Sequence, residues 1–338
     1  SSGSASASTV AGVNNTASAN SSSAFGYFNT AGGLASSAFG WSNTASAENA
    51  SAFGYVNEAS GLASSALGFR NKAANENASA VGYGNNAGGV ASSAFGFSNV
   101  AKVDYASAFG YSNEASGLAS SAVGFRNKAA SENASAVGYG NNANALAASA
   151  VGYNNTAGGV GSSTIGYNNT ATNENASAFG YGNTAGGLAS SAFGFSNTAS
   201  GDNANAFGYN NIASGSKSNV FGTGNTVSGS SSTAVGTANE VAAENSTAIG
   251  NNNTISSGAE NSAALGNNIS ISLKDSVALG NNSTATAINS VTGNSSYTKW
   301  AGVSDVVGVV SVGSSGATRQ IQNVAAGQVS ATSTDAVN

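Results

Sequence analysis

Two Arg-Asn-Lys triplets, Arg70-Asn71-Lys72 and Arg126-Asn127-Lys128, hold four of the nine cationic residues in this 338-residue chain. A guanidinium offers a rigid fork of donors that fits carboxylate and sulfate oxygens, and an ammonium adds a compact point charge. Arg70, Lys72, Arg126 and Lys128 are therefore the candidate ligand-binding residues, with an anionic glycan as the partner such groups would take. A plainer reading stands beside it. Glu58 and Glu114 lie 14 residues before Lys72 and Lys128, which suits exposed ion pairs worth less than about 1 kcal/mol each, with the arginines on a solvated face.

Other chemistry finds little to work with. The chain has no His and no Cys, so the commonest general base, the commonest metal ligand and every thiolate site are missing. No carboxylate pair and no nucleophile with its base stands apart from the repeats, so we read no enzyme, no cofactor and no metal site. The calcium-binding β-roll needs Gly-Gly-x-Gly-x-Asp nonapeptides, and none of the five Asp stands in one. Asn-x-Thr matches at 14–16 and 168–170 are expected by chance in so Asn- and Ser-rich a chain.

Composition narrows the class further. Only 7% of residues are charged, Pro and Met are absent, and the net charge is −5. A disordered chain of this polarity would carry high net charge or abundant Pro. No basic stripe suggests nucleic acid, and no apolar run approaches the roughly 18 residues of a membrane helix. Residues 1–9 lack the charged and apolar regions of a signal peptide, so the chain reads as a mature segment or a fragment of something longer.

The organising feature is a repeat. Ala-apolar-Gly glycines fall at Gly26, Gly40, Gly54 and every 14 residues to Gly250, which makes 17 successive registers. Gly266 follows after 16 residues and Gly280 after 14. The residue after the glycine is aromatic 14 times running, from Tyr27 to Tyr209. The third residue after it is Asn from Asn29, Asn43 and Asn57 through to Asn253. Units this rich in Gly, Ser and Asn are poor helices, while 14 residues suffice for two short strands and two turns. The repeat predicts an all-β solenoid with one coil per unit, in which the glycine meets another backbone closely and the asparagines stack as amide ladders. At about 4.8 Å per coil, some 20 coils would make a rod of roughly 90–100 Å. A hexapeptide β-helix does not fit, because 14 is not a multiple of six.

A second period of 28 lies over the first. Eight residues past each glycine the chain alternates between apolar and acidic: Leu34, Glu48, Leu62, Glu76, Val90, Asp104, Leu118, Glu132. The alternation slips at Leu146 and Val160 and then resumes. Residues 54–86 and 110–142 differ at three positions, the mark of expansion by duplication, which suits a spacer-like array better than one active site. Ordering a 14-residue coil costs roughly 14–28 kcal/mol of backbone entropy. Two or three large apolar side chains per coil, at about 1.5–3 kcal/mol each when buried, leave a thin margin, and outward aromatics would form an uncovered stripe. Both arguments predict burial between chains. Regular Thr ranks, as an ice- or mineral-binding face would need, are interrupted by Glu58, Lys72, Asn86 and Val100.

After Gly280 the period fades, and residues 303–312, Val-Ser-Asp-Val-Val-Gly-Val-Val-Ser-Val, read as a hairpin-like apolar segment behind Trp300. Here a resemblance becomes specific. Residues 319–338, beginning Arg-Gln-Ile-Gln-Asn-Val-Ala-Ala-Gly, resemble the neck of trimeric autotransporter adhesins. Trp300 with Gly-Val-Val-Ser-Val-Gly-Ser-Ser-Gly resembles that family's Trp-ring element. Ser-Thr-Ala-Val-Gly (232–236), Ser-Thr-Ala-Ile-Gly (246–250) and Ser-Val-Ala-Leu-Gly (276–280) are similar to the YadA-like head repeat. The resemblance implies a left-handed parallel β-roll head over 1–290, a Trp-ring-like element over 291–316 and a neck over 317–338, leading to a stalk not present here. It implies a homotrimer, with Trp300 buried at its axis and Arg319 at the interface or in a neck ion pair. It also implies an extracellular place on the bacterial surface, membrane contact only through an anchor domain missing from this chain, and attachment to host matrix, cell-surface or abiotic ligands. A spacer rod that holds a separate tip away from the cell is the alternative. Most of the array departs from the common Val-Ala-Ile-Gly motif, as where Ala-Phe-Gly-Tyr replaces it. The common motif is the one associated with collagen binding in some relatives, so the resemblance does not by itself imply a collagen ligand.

Overall fold

Each glycine motif occupies a five-residue strand, and each asparagine is followed by a two-residue strand, as in Ser65–Phe69 and Lys72–Ala73. The computed structural model describes residues 1–3, 5–288, 306–328 and 333–335, and among these there is no helix. Trp300 and the roles expected of it lie outside the described residues, as does part of the neck. The chain divides into two units, Ser1–Gly182 and Asn183–Asn338, and the predicted 14-residue coil is the building block of both.

In the first unit every coil pairs parallel with its neighbour at a shift of 14. Ser65 faces Ser79, Ala66 faces Ala80, Leu67 faces Val81, Gly68 faces Gly82 and Phe69 faces Tyr83. The short strands form a second parallel sheet, where Lys72 faces Glu58 on one side and Asn86 on the other. Two residues per coil turn the corners with φ near +55°, the second and ninth after the glycine, such as Arg70 and Asn77. Asn, Ser and Gly are common at the first of these corners, as this left-handed region favours, yet Phe28, Val56, Arg70 and Arg126 occupy it as well.

The interior is made of small side chains. In a strand successive residues point to opposite faces, so Ala66 points in while Leu67 and Phe69 point out. Ala24, Ala38, Ala52 and their equivalents are fully buried, as are Ala31, Ala45 and Ala59 on the opposite sheet. Asn and Ser fill the remaining space. The large apolar residues counted on for burial are outside, with Leu67 48% and Trp41 47% exposed.

The 28-residue period has a steric cause. At the seventh residue after the glycine, a Cβ on Gly33 would lie 1.9 Å from the Ala47 carbonyl oxygen, and one on Gly61 the same distance from that of Asn75. Gly89 and Gly117 are equally confined by Val103 and Ser131. From residue 33 to 131 every second turn thus needs a bare Cα so that the following turn can close over it. The alternation of Leu and Glu one residue later marks which turn is which, and it slips where Ala145 stands in the glycine's place.

The second unit repeats the same coil with a different filling. Val220, Val227, Val241, Ile255 and Ile271 replace interior alanines, while the outward aromatic gives way to Thr223, Thr237 and Asn251. The 16-residue coil keeps register, since Thr247 faces Ala263 and Gly250 faces Gly266. Beyond it, the described part of 303–312 does not form the expected hairpin. Val310–Ser311 instead adds a parallel rung beside Val277 and Ala278, because Val277–Leu279 offers an unpaired edge that a parallel strand can complete. A single antiparallel bridge, Ser314 to Ala317, follows.

Candidate functional site

Two sets of residues define the molecule's capabilities, one internal and one on the outer face of the long-strand sheet. The internal set is the predicted ladder of Asn29, Asn43, Asn57 and their equivalents. The Asn43 side-chain oxygen accepts from the Asn57 backbone N–H at 3.0 Å and from its side-chain amide at 2.9 Å. The Asn57 amide also donates to the Phe53 carbonyl at 2.8 Å and to the Gly68 carbonyl of the next coil at 2.7 Å. Every polar atom of this buried side chain is thereby engaged, which is the condition for placing an amide in an apolar interior. In the second unit the ladder ends where the Asn253 oxygen accepts from the backbone N–H of Ile269, whose side chain has taken the asparagine's place.

Gly26, Gly40 and Gly54 allow this arrangement. Their φ lies between +114° and +118°, and a Cβ at any of them would fall 2.1 Å from the carbonyl oxygen of the next glycine. Glycine is required on both counts. The asparagine three residues on donates to the same carbonyl, so the two repeat positions are one device.

The outer face carries two apolar columns. Before the glycine run Phe25, Phe39 and Phe53, their rings stacked at 4.8 and 4.9 Å; after it run Tyr55, Phe69, Tyr83, Phe97, Tyr111 and onward to Tyr181. Neighbouring rings in the second column lie 4.7–4.9 Å apart and within 7° of parallel. The coil spacing of about 4.8 Å therefore sets the ring spacing, and each ring uses its faces on its neighbours and turns its edge to the outside.

The candidate cations sit at the margin of the second column. Arg70 lies over the Phe69 ring at 5.2 Å and Arg126 over Phe125 at 5.1 Å, within cation–π range. Lys72 reaches Glu58 at 3.1 Å, both about half exposed, the ion pair expected from the spacing. Glu114 and Lys128 share the same register, but among the described residues only the first pair closes. Exchanging Glu58 for Gln is expected to lower stability by less than about 1 kcal/mol in denaturant unfolding, because water screens the pair.

Arg319 turns back on the end of the second unit. It donates to the Val312 carbonyl at 2.7 Å, the Asn281 carbonyl at 2.5 Å and the Ser283 hydroxyl at 3.3 Å. Its partners among the described residues are neutral oxygens, and it caps carbonyls at the end of the last coil. Those carbonyls have no further coil to accept from, and a forked donor satisfies several together.

No group of three or more acidic, His or Cys residues able to hold a metal occurs among the described residues, and none of their helices could cross a membrane, there being none. A chain whose coils carry this Gly–Asn device and an outward apolar face is a repetitive parallel β-roll. The YadA head domain repeat, in its two-copy form, matches residues 31–56, 59–85, 87–113, 115–141, 157–183, 185–211, 228–253 and 274–291, more than half of the chain, which therefore belongs to the YadA head repeat family. From residue 31 to 141 each match spans one pair of turns, and the unmatched stretch 142–156 is the single coil holding Ala145 and Leu146. No curated protein matches the chain significantly.

Proposed function

We propose that the chain is the head of a homotrimeric bacterial surface adhesin, attaching cells to host matrix, cell-surface or abiotic ligands. The supporting observation is the column before the glycine. It stays large and apolar in both units, and Leu67, Phe221, Ile249 and Leu265 remain 42–52% exposed among the described residues. The column after the glycine, by contrast, changes from aromatic to Thr and Asn in the second unit. A contact needed along the whole head would keep one chemistry throughout, and a second copy of the chain repeats the same column at the same spacing. Burying it between copies supplies the apolar area that an alanine interior lacks. Family membership supports the adhesive role and a place outside the cell. The left-handed coil, the Trp ring and the neck belong to the same reading.

Light scattering at two protein concentrations tests the assembly: we expect a mass of three chains, unchanged on dilution, and a stable folded monomer would overturn it. Beads carrying the chain should attach to matrix-coated or bare surfaces. Beads that attach to none would leave the spacer role, which the near-identical blocks 54–86 and 110–142 would also serve.

A further inference from the structure

The cations at the edge of the aromatic column have a chemistry that the repeat does not require. Each coil closes its corner equally well with Ser42, Ser98, Ser112 or Asn154 at the position of Arg70 and Arg126, so neither arginine is needed to turn the chain. Neither guanidinium has an acceptor among the described residues. Each is held over its own Phe ring at just above 5 Å, which orients the fork and leaves its N–H groups unspent. The next residue in each column is Gly84 or Gly140, so no side chain of the following coil stands against either guanidinium. Above Gly140 the side-chain oxygen of Asn154 reaches into the open space and adds a neutral polar group to the second position.

Charge is also segregated within the first unit. The acids Glu48, Glu76, Asp104, Glu132 and Glu174 lie eight residues past the glycine, on the other side of the short-strand sheet, whereas the column of Arg70 and Arg126 holds no acid. Of the nearer carboxylates, Glu58 is occupied by Lys72. The two arginines stand four coils apart, about 19 Å at the usual spacing, with the ring edges of Tyr83, Phe97 and Tyr111 between them.

We infer that Arg70 and Arg126 are two equivalent anion clamps on one stripe, and that together they take a linear anionic polysaccharide lying along the stack of coils. Two widely spaced guanidiniums suit a polymer whose sulfates or carboxylates are dispersed between neutral sugar rings, for which the aromatic edges provide an apolar bed. A nucleic-acid strand fits poorly. A duplex carries a phosphate on each strand for about every 3.4 Å of its axis, so several would pass Glu114 and the unspent ring edges for each guanidinium met. The inference rests on the adhesive reading of the head and names one class of ligand for it.

The test uses the intact chain and hyaluronan as the probe, a polymer whose single carboxylate per disaccharide alternates with a neutral sugar, with binding followed by fluorescence anisotropy at low salt. Arg70→Gln and Arg126→Gln are each expected to weaken binding about tenfold, and the double variant about a hundredfold or beyond detection, since each clamp contributes one charge-assisted contact to a bivalent attachment. Lys217→Gln, in the second unit, should leave it unchanged. Melting curves that match the unsubstituted chain show that the exposed substitutions have not disturbed the coil. No hyaluronan binding by the unsubstituted chain, or equal binding by the double variant, overturns the inference, and so does equal affinity for a DNA duplex. Bead attachment is measured separately on the same preparations, so a head that still sticks without binding hyaluronan fails this inference alone.

Discussion

Gly82→Ala is expected to destabilise the head by on the order of 4 kcal/mol or more, whereas Gly84→Ala, two residues further on, should cost only about 1–2 kcal/mol. Both glycines have positive φ, but their surroundings differ. At Gly82 φ is +118°, and a Cβ would lie 2.1 Å from the Gly96 carbonyl oxygen and 3.1 Å from the Asn85 amide. The first contact is with backbone in a paired strand, so relief requires parting two coils, which places the change in the small class of severely destabilising substitutions. At Gly84 φ is +62°, and the only atom within 4 Å is the Ser98 hydroxyl oxygen at 3.6 Å. Alanine there meets only the usual left-handed penalty, which Ala35 and Ala63 already bear at the other corner. Hydrogen exchange across residues 79–97 reads the difference locally: fast exchange in the Gly82 variant and near-normal protection in the Gly84 variant. Equal protection in the two would show that the glycine column is not held by backbone approach.

The second large effect is electrostatic and should depend on pH. In Asn99→Asp the new carboxylate can still accept from the Asn113 backbone N–H and side-chain amide, as the Asn99 oxygen does at 3.0 and 2.9 Å. It cannot donate to the carbonyls of Phe95 and Gly110, which the Asn99 amide reaches at 2.8 and 2.7 Å. Oxygen would face oxygen in a buried site, at a cost on the order of 3 kcal/mol or more near neutral pH. Burial and the facing carbonyls favour the protonated acid, so its folded-state pKa rises above the unfolded value of about 3.9. The sign follows from linkage. Below the unfolded value both states are protonated and the variant is at its most stable; stability is then lost as pH rises through the folded value. Denaturant unfolding from pH 3.5 to 7.5 should show this fall for Asn99→Asp and only a small change for the exposed Asn154→Asp. A flat profile for the first would mean that the ladder tolerates a charge.

Much of the coil was legible because its strictest positions are single-residue demands. A glycine invariant through 17 registers announces a backbone approach, and an asparagine held three residues later announces a ladder. The direction of the large side chains was less accessible. Ala24 and Phe25 are adjacent, and a shift of one residue would exchange inside for outside; energetic intuition puts Phe inside, yet the narrow space between sheets admits only alanine. The left-handed corners were hidden because Phe28, Val56 and Arg70 mask the Asn, Ser and Gly preference seen at Ser42, Gly84 and Asn154. Residues 306–312 were misread as hairpin because local pattern does not reveal that the last coil presents an edge to be paired. Of the candidate site, Lys72 and Glu58 followed from spacing alone. The stacking of Arg70 and Arg126 on their neighbouring rings depends on corner geometry that the repeat does not display.

The confined glycine at every second turn from residue 33 to 131 also governs how such a head can change in size. Each coil touches only its neighbours, so a block can be lost or gained without disturbing distant ones. The alternating turns nevertheless admit new material most readily in pairs, so that a bare Cα always meets the turn it must accommodate. Unequal exchange between the near-identical blocks 54–86 and 110–142, which start 56 residues or four coils apart, therefore changes the length of the coil stack in steps of about 19 Å. Because 54–86 and 110–142 both carry an arginine at the same corner, an added block brings a further arginine with it.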